Sequence, residues 1–164
     1  MRAKTSSPRR FFSLGRPDRH TNLVVLLVQP ERDDREMYVE YLRYEGFTPV
    51  PVSTATDALR ASPRAAVIVT GLLLPGEMDG IEFVTRLKSH DRMKHIPTIV
   101  LTACAWDSER ERAVAAGCDL FLPKPCLPDV LVRHIRRLLA LRLVPTRVAA
   151  HVPLAPPRRA RRTS

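Results

Sequence analysis

Cysteine is scarce: three residues and no CxxC pair, which leaves neither a disulfide framework nor a cysteine-rich zinc site. Long apolar stretches are missing too. The strongest run, Leu23 to Val28, is six residues long, far short of the ~20 that a membrane-spanning helix needs. There is no fixed-period repeat of the solenoid kind. There is no G-x-G-x-x-G, P-loop, nucleophile elbow or H-E-x-x-H motif. His20, His90, His95, His134 and His151 fall at no metal-ligand spacing. These absences leave no reason to expect a catalytic residue, a cofactor or a metal centre of a common enzyme class.

What is present suits one folded domain with two tails. The chain has 164 residues, 45% of them hydrophobic, and a formal charge of +10, enough apolar material to form a core. The charge is segregated. Residues 1–21 carry six basic groups and one acid, residues 142–164 six arginines and no acid, and residues 22–141 carry 15 basic and 16 acidic groups. The excess therefore lies in the tails, which are also rich in proline. The expected organisation is a basic, disordered N-terminal arm (1–21), a folded domain (22–141) and a disordered Pro/Arg-rich tail (142–164). Such arms suit weak, non-specific contact with nucleic acid or an acidic partner. They also suit plain solvation, which the slight aromatic interleaving (Phe11 and Phe12) favours.

Ser7-Pro8-Arg9-Arg10-Phe11-Phe12 is similar to a twin-arginine export motif. Charged residues from Arg16 to His20 stand where an export signal needs an apolar segment. A cytoplasmic location, reduced thiols and no membrane contact are expected.

The middle alternates strand and helix. Leu23 to Val28 reads as a strand buried on both faces. A helix follows from Pro30-Glu31 to Glu45, with an apolar stripe from the pairs Met37/Tyr41 and Tyr38/Leu42. Asp33 and Asp34 lie near its first turn and are expected to point away from the strand ends. Phe47 to Val52 is a second strand, and Thr54 caps a short helix to Ala61. Ala65 to Thr70 and Thr98 to Thr102 are the third and fourth strands. Between them Asp79 caps a helix facing inward through Phe83, Val84 and Leu87. A helix from Ser108 to Ala116 stops at Gly117, Leu120 to Leu122 is the fifth strand, and Pro128 to about Leu141 is the last helix, with Leu131, Ile135 and Leu138 inward. This pattern predicts an α/β, doubly wound, flavodoxin-like (βα)5 fold with a five-stranded parallel sheet in the order 2-1-3-4-5. The strand ends at Val28 to Glu31, Thr70 to Leu73, Thr102 to Ala105 and Lys124-Pro125 should then meet on one rim.

Four groups of residues in order carry a family resemblance: Arg35-Glu36-Met37 with Leu42 and Gly46-Phe47; Leu74 through Gly80; Ile96-Pro97 leading to Leu101-Thr102-Ala103; and Ala116-Gly117-Cys118-Asp119 leading to Phe121 through Pro125. With them the segment 22–141 resembles the receiver domain of bacterial response regulators in two-component phosphorelay signalling. The resemblance implies an aspartate after strand 3 that takes a phosphoryl group from a partner histidine. It also implies two acids after strand 1 that hold Mg²⁺, a hydroxyl after strand 4, and a lysine near strand 5. Thr102 matches the hydroxyl, Lys124 the lysine, and Phe121 the aromatic that moves with the hydroxyl. The acidic half is replaced. The phosphoacceptor position falls on Gly71 and the acid pair on Gln29 and Pro30. Thr70 lies one residue away, on the opposite face of its strand, and its hydroxyl lacks an activating base. Glu31 is a remote substitute. Lys124, stripped of three carboxylates, should leave the rim neutral to positive; the plainer expectation is that it reaches solvent or carbonyls of the adjacent loops, the alternative an anion held with Thr102 and nearby backbone N–H groups.

The expectation is therefore a pseudo-receiver that works by protein–protein interaction without aspartyl phosphorylation. Its partner would be a histidine kinase or another signalling protein. The resemblance puts the contact on the face of helix 4, strand 5 and helix 5 (roughly Ser108 to Leu141), which also serves homodimers. A nucleic-acid-associating dimer with basic tails, and a conventional phosphorylatable regulator, are the alternatives. Cys104 and Cys126 fall near the rim and would form a redox pair only if their Cα atoms came within ~7 Å; packed thiols are the plainer reading, for Cys118 as well. Trp106 is either an exposed contact or a cover over the rim.

Overall fold

A computed structural model describes residues 22–143. The basic arms expected at 1–21 and 142–164 lie outside them, apart from the start of the second in the last helical turn. Five strands, β1 (Val24–Val28), β2 (Thr48–Val52), β3 (Val67–Thr70), β4 (Thr98–Thr102) and β5 (Leu120–Pro123), alternate with helices α1 (Arg32–Tyr44), α2 (Ala55–Ala61), α3 (Gly80–Ser89), α4 (Asp107–Ala116) and α5 (Pro128–Leu143). All pairings are parallel and the order is β2-β1-β3-β4-β5, the doubly wound flavodoxin-like topology that the pattern predicts.

Both faces of the sheet are covered, which is why β1 reads as an unbroken apolar run. Leu26, Val28, Ile68 and Val100 point to one side, against Ala55 and Ala58 of α2 and Phe83, Val84 and Leu87 of α3. Val25, Leu27, Val67, Val69, Ile99 and Leu101 point to the other, against Tyr38, Val39 and Leu42 of α1 and Leu131, Val132 and Ile135 of α5. The α1 stripe is rotated from expectation. Tyr38, Val39 and Leu42 are buried, Tyr41 packs partly, and Met37 is exposed, because a face centred on 38 and 42 carries its neighbour 39 inward and turns 37 out.

Prolines 49 and 51 sit within β2, an edge strand. Thr48 N–H donates to Leu23 O, and Val52 O accepts from Gln29 N–H. The alternate positions 49 and 51 therefore face away from β1, where no donor is needed. The side chains of Thr54 and Asp79 cap α2 and α3 as expected. Gly117 ends α4 at φ +100°, a left-handed conformation that suits glycine. The periodic pattern does not mark the short 3-10 turn Ser62–Arg64, which carries Pro63 as its second residue.

Reversal of the winding between β1 and β3 leaves a crevice at their carboxyl ends. The loop after β3 folds tightly there: Gly80, the first residue of α3, donates its N–H to Leu72 O at 2.8 Å. A Cβ at position 80 would collide with Gly71 O and stand 2.8 Å from Leu72 Cα. Both obstacles are backbone and cannot swing aside. Gly80→Ala is expected to lower stability by at least ~1–3 kcal/mol, the range of core overpacking, read as a fall in the urea unfolding midpoint.

Candidate functional site

Gln29, the first residue after β1, is the largest of the buried polar residues, and only 1% of it is exposed. Its amide is satisfied at both ends. Nε2 donates to Leu101 O on β4 at 3.3 Å, and Oε1 accepts from Lys124 Nζ at 2.9 Å. Lys124 Nζ also donates to Asp34 Oδ2 at 2.6 Å, a charge-assisted bond in which the lysine is largely buried. Arg35 closes the entry to α1, donating from Nη1 to Gln29 O at 2.6 Å and Pro30 O at 3.0 Å. Lys124 enters a cis peptide bond with Pro125.

One expectation is thereby corrected and another narrowed. Asp34 does not point away from the strand ends, and the rim, expected to be neutral to positive, has Lys124 opposed by a carboxylate. The reason lies in α1. Asp34, Tyr38 and Leu42 recur every four residues, so the carboxylate shares the stripe that holds the buried Tyr38 and Leu42. That stripe faces the β5–α5 loop, where Tyr38 Oη donates to Cys126 O at 2.7 Å. The signal was present in the sequence as an acid in register with a buried face. Asp33, one step round the helix, is exposed.

The other rim positions are as follows. Gly71 is buried, and its N–H donates to Val28 O. A Cβ built there would meet Gln29 Oε1 at 3.5 Å and Leu74 Cδ2 at 3.7 Å, ordinary contacts. Thr70 turns to the opposite face as expected, its hydroxyl donating to Gly71 O. Thr102 Oγ1 accepts from Cys104 N–H at 3.1 Å and so shapes the β4–α4 loop. Phe121 is buried in the core on the α3 side, and the Arg110 guanidinium lies 5.0 Å from its ring centre. Glu31 is the exposed N-cap residue of α1 and makes no capping bond through its side chain. Trp106 is exposed at the start of α4. Cys104, Cys118 and Cys126 are free and half-buried. Burial pushes the thiols of Cys118 and Cys126 up, away from the reactive thiolate.

A magnesium ion of the kind the family resemblance implies asks for oxygen donors, carboxylates above all. The residues at the three family positions do not fit it. Gly71 has no side chain, Pro30 carries no donor atom, and the one side-chain oxygen of Gln29 accepts from an ammonium. Asp34, the nearby acid, is likewise held by Lys124. Among the described residues, no three His, Cys, Asp or Glu side chains gather closely enough to bind a metal. No helix among them is long and apolar enough to cross a membrane.

Residues 25–136 match the family model of the response regulator receiver domain, and the chain belongs to that family. It is 32% identical over 114 residues to the phosphate regulon transcriptional regulatory protein PhoB of Escherichia coli (strain K12), covering 68% of this chain and 49% of that protein. It is also 32% identical over 119 residues to the response regulator Rre1 of Synechocystis sp., covering 71% and 51%. The chain thus spans about half the length of the curated relatives it matches. Similar solved structures include the chemotaxis response regulator CheY4 of Vibrio cholerae (TM-score 0.66, 26% identity, 72% of this chain and 99% of that one). A second is the receiver domain of sensor histidine kinase PA1611 from Pseudomonas aeruginosa PAO1, with a magnesium ion coordinated in its active-site cleft (TM-score 0.67, 25% identity, 73% and 99%).

The Tyr38 phenol beside this network is pushed up to about 12, first by burial and then by the nearby Cys126 and Asp34. The neutral phenol is the form that the fold prefers. Its contribution is complete below the ordinary value of 10.0 and is lost as pH rises through 10 toward 12. The urea midpoint should fall across that window in the parent chain and fall less in Tyr38→Phe, which at neutral pH should itself be less stable by about 1 kcal/mol for the lost hydrogen bond.

Proposed function

We propose that this receiver transmits signals by protein contact and does not accept a phosphoryl group. One observation carries the reading. Where the family resemblance calls for a carboxylate nucleophile, Gly71 offers none, and Lys124, the cation that would pair with the phosphoryl oxygens, is already committed to Asp34 and Gln29. Phosphoryl transfer to a receiver rests on positioning and charge neutralisation around an acceptor oxygen; here the acceptor and the metal's ligands are both replaced. The chain is thus a pseudo-receiver and not an enzyme. Its partner is a histidine kinase or another cytoplasmic signalling protein, and the same face admits a second copy of the chain.

The face formed by α4, β5 and α5 supports this role. Helix α4 buries only Ala113 and leaves Val114 exposed. A helix with so little of itself in the core is free to present its outer side to a partner. The arms at 1–21 and 142–164 remain a proposal of their own: their basic composition supports weak contact with nucleic acid that falls steeply with salt, measurable as duplex-DNA binding at two ionic strengths.

The decisive experiment is incubation of the full chain with acetyl phosphate and Mg²⁺, followed by intact mass. No phosphoryl adduct is expected. The same assay on a Q29E/P30D/G71D variant, which restores three carboxylates, should show an adduct that hydroxylamine removes. G71D alone, whose Cβ would meet only ordinary contacts, should stay unlabelled because the metal's ligands are still absent. An adduct on the parent chain overturns the reading.

A further inference from the structure

The geometry points to Asp34 as a built-in anion that clamps Lys124 and so fixes the β5–α5 loop in one conformation, without any incoming group. The inference rests on the reading of an acceptor-free site.

Helix α1 is tied to the β5–α5 side at three points. Asp34 binds Lys124 Nζ at 2.6 Å, Tyr38 donates to Cys126 O at 2.7 Å, and Glu45 Oε2 accepts from Arg136 Nη2 on α5 at 2.6 Å. The first tie is the one that reaches into the crevice. Through Lys124 it continues to Gln29 Oε1, and through Gln29 Nε2 to Leu101 O. One connected path therefore joins α1, the β5–α5 loop, β1 and β4. A lysine with most of its side chain out of water needs an anion, and Asp34 supplies it from within the chain. Two of its three N–H donors find an amide oxygen and a carboxylate already in place.

The loop that follows is held in step. Lys124 N–H donates to Thr102 O at 2.8 Å, and the first turn of α5 is anchored by Val130 and Leu131 N–H donating to Leu127 O. On the other side of the sheet, Phe121 is buried with Arg110 5.0 Å from its ring centre. The aromatic within β5 and the lysine that follows the strand thus both have partners within the fold. The surface of α4, β5 and α5 is set by these internal partners.

The test is hydrogen–deuterium exchange of the full chain, read at the amides of Lys124, Val130 and Leu131. Asp34→Asn keeps size and removes charge, and should speed exchange at Lys124 about tenfold, equivalent to about 1.4 kcal/mol. Asp33→Asn removes a charge from the same helical turn without touching Lys124 and should leave the three amides within twofold of the parent. Lys124→Gln should speed exchange as Asp34→Asn does, and the double variant should be no faster than either single one. Equal rates in Asp34→Asn and Asp33→Asn, or additive effects in the double variant, would overturn the clamp. Phosphoryl labelling of the parent chain, read by mass on the same samples, overturns the acceptor-free reading instead, so the two failures are told apart.

Discussion

An ammonium group at the carboxyl edge of a parallel sheet must be neutralised, and the arrangement of this rim follows from how that is done. Lys124 is held in place by the backbone: its N–H belongs to the β5 ladder through Thr102 O, and its chain is drawn toward β1. With Gly71, Pro30 and Gln29 around it, the strands themselves supply no negative charge. Desolvating a cation without a partner costs several kcal/mol. Asp34 supplies the charge from the first turn of α1, while Gln29 supplies a neutral acceptor and passes its own donor to Leu101 O. Arg35 then occupies the carbonyls of Gln29 and Pro30, and no buried side-chain polar atom among the described residues is left without a partner.

The fold makes that rescue available. In a doubly wound sheet every helix begins where a strand ends, so all helix N-termini gather on one rim. The macrodipole favours acids there, and Asp33, Asp34, Asp57, Glu82, Asp107, Glu109 and Asp129 occupy first turns. Beside them, the Asp79 carboxylate caps α3 and the Thr54 hydroxyl caps α2. Asp34 alone lies on a stripe that also carries two buried side chains toward the β5–α5 loop. Its position relative to Tyr38 and Leu42 makes it a partner for Lys124; its place near a helix start would not have been enough.

The fold was legible because its signals are local and agree with one another. Continuous apolar runs in β1, β3 and β4, the cap at Asp79 and the left-handed stop at Gly117 each specify an element without reference to the rest. Boundaries moved by one or two residues, as at Arg32 and Val67. The 3-10 turn at Ser62 is too short to leave a periodic signal; it continues the chain from the end of α2 with Pro63 as its second residue. At the site, the positions of Gln29, Pro30, Gly71, Thr102, Phe121 and Lys124 could be placed by counting from loop and strand landmarks. Their partners could not. The bond between Lys124 and Asp34 spans 90 residues; the register of Asp34 with Tyr38 and Leu42 marks it as an acid on a buried face, but does not name Lys124 as its partner. The rotation of α1 that exposes Met37 and turns Asp34 inward is decided by packing against α5, a tertiary term that periodicity within α1 leaves undetermined by one residue step.

That step separates two physical pictures of the same rim. With Asp34 turned out, Lys124 would be an open cation, and the crevice would recruit whatever anion the surroundings offered. With Asp34 turned in, the crevice is closed electrostatically, and an incoming anion must displace a carboxylate held at 2.6 Å before it gains anything from the lysine. Displacement exchanges one charge-assisted bond for another and leaves Asp34 to be resolvated, so the net driving force is small even for a doubly charged group. A ligand can shift a conformational equilibrium only by its differential affinity for the two states. The internal pair removes most of that difference at this rim. A partner at the outer surface of α4 and α5 would instead compete with solvent and not with this ion pair.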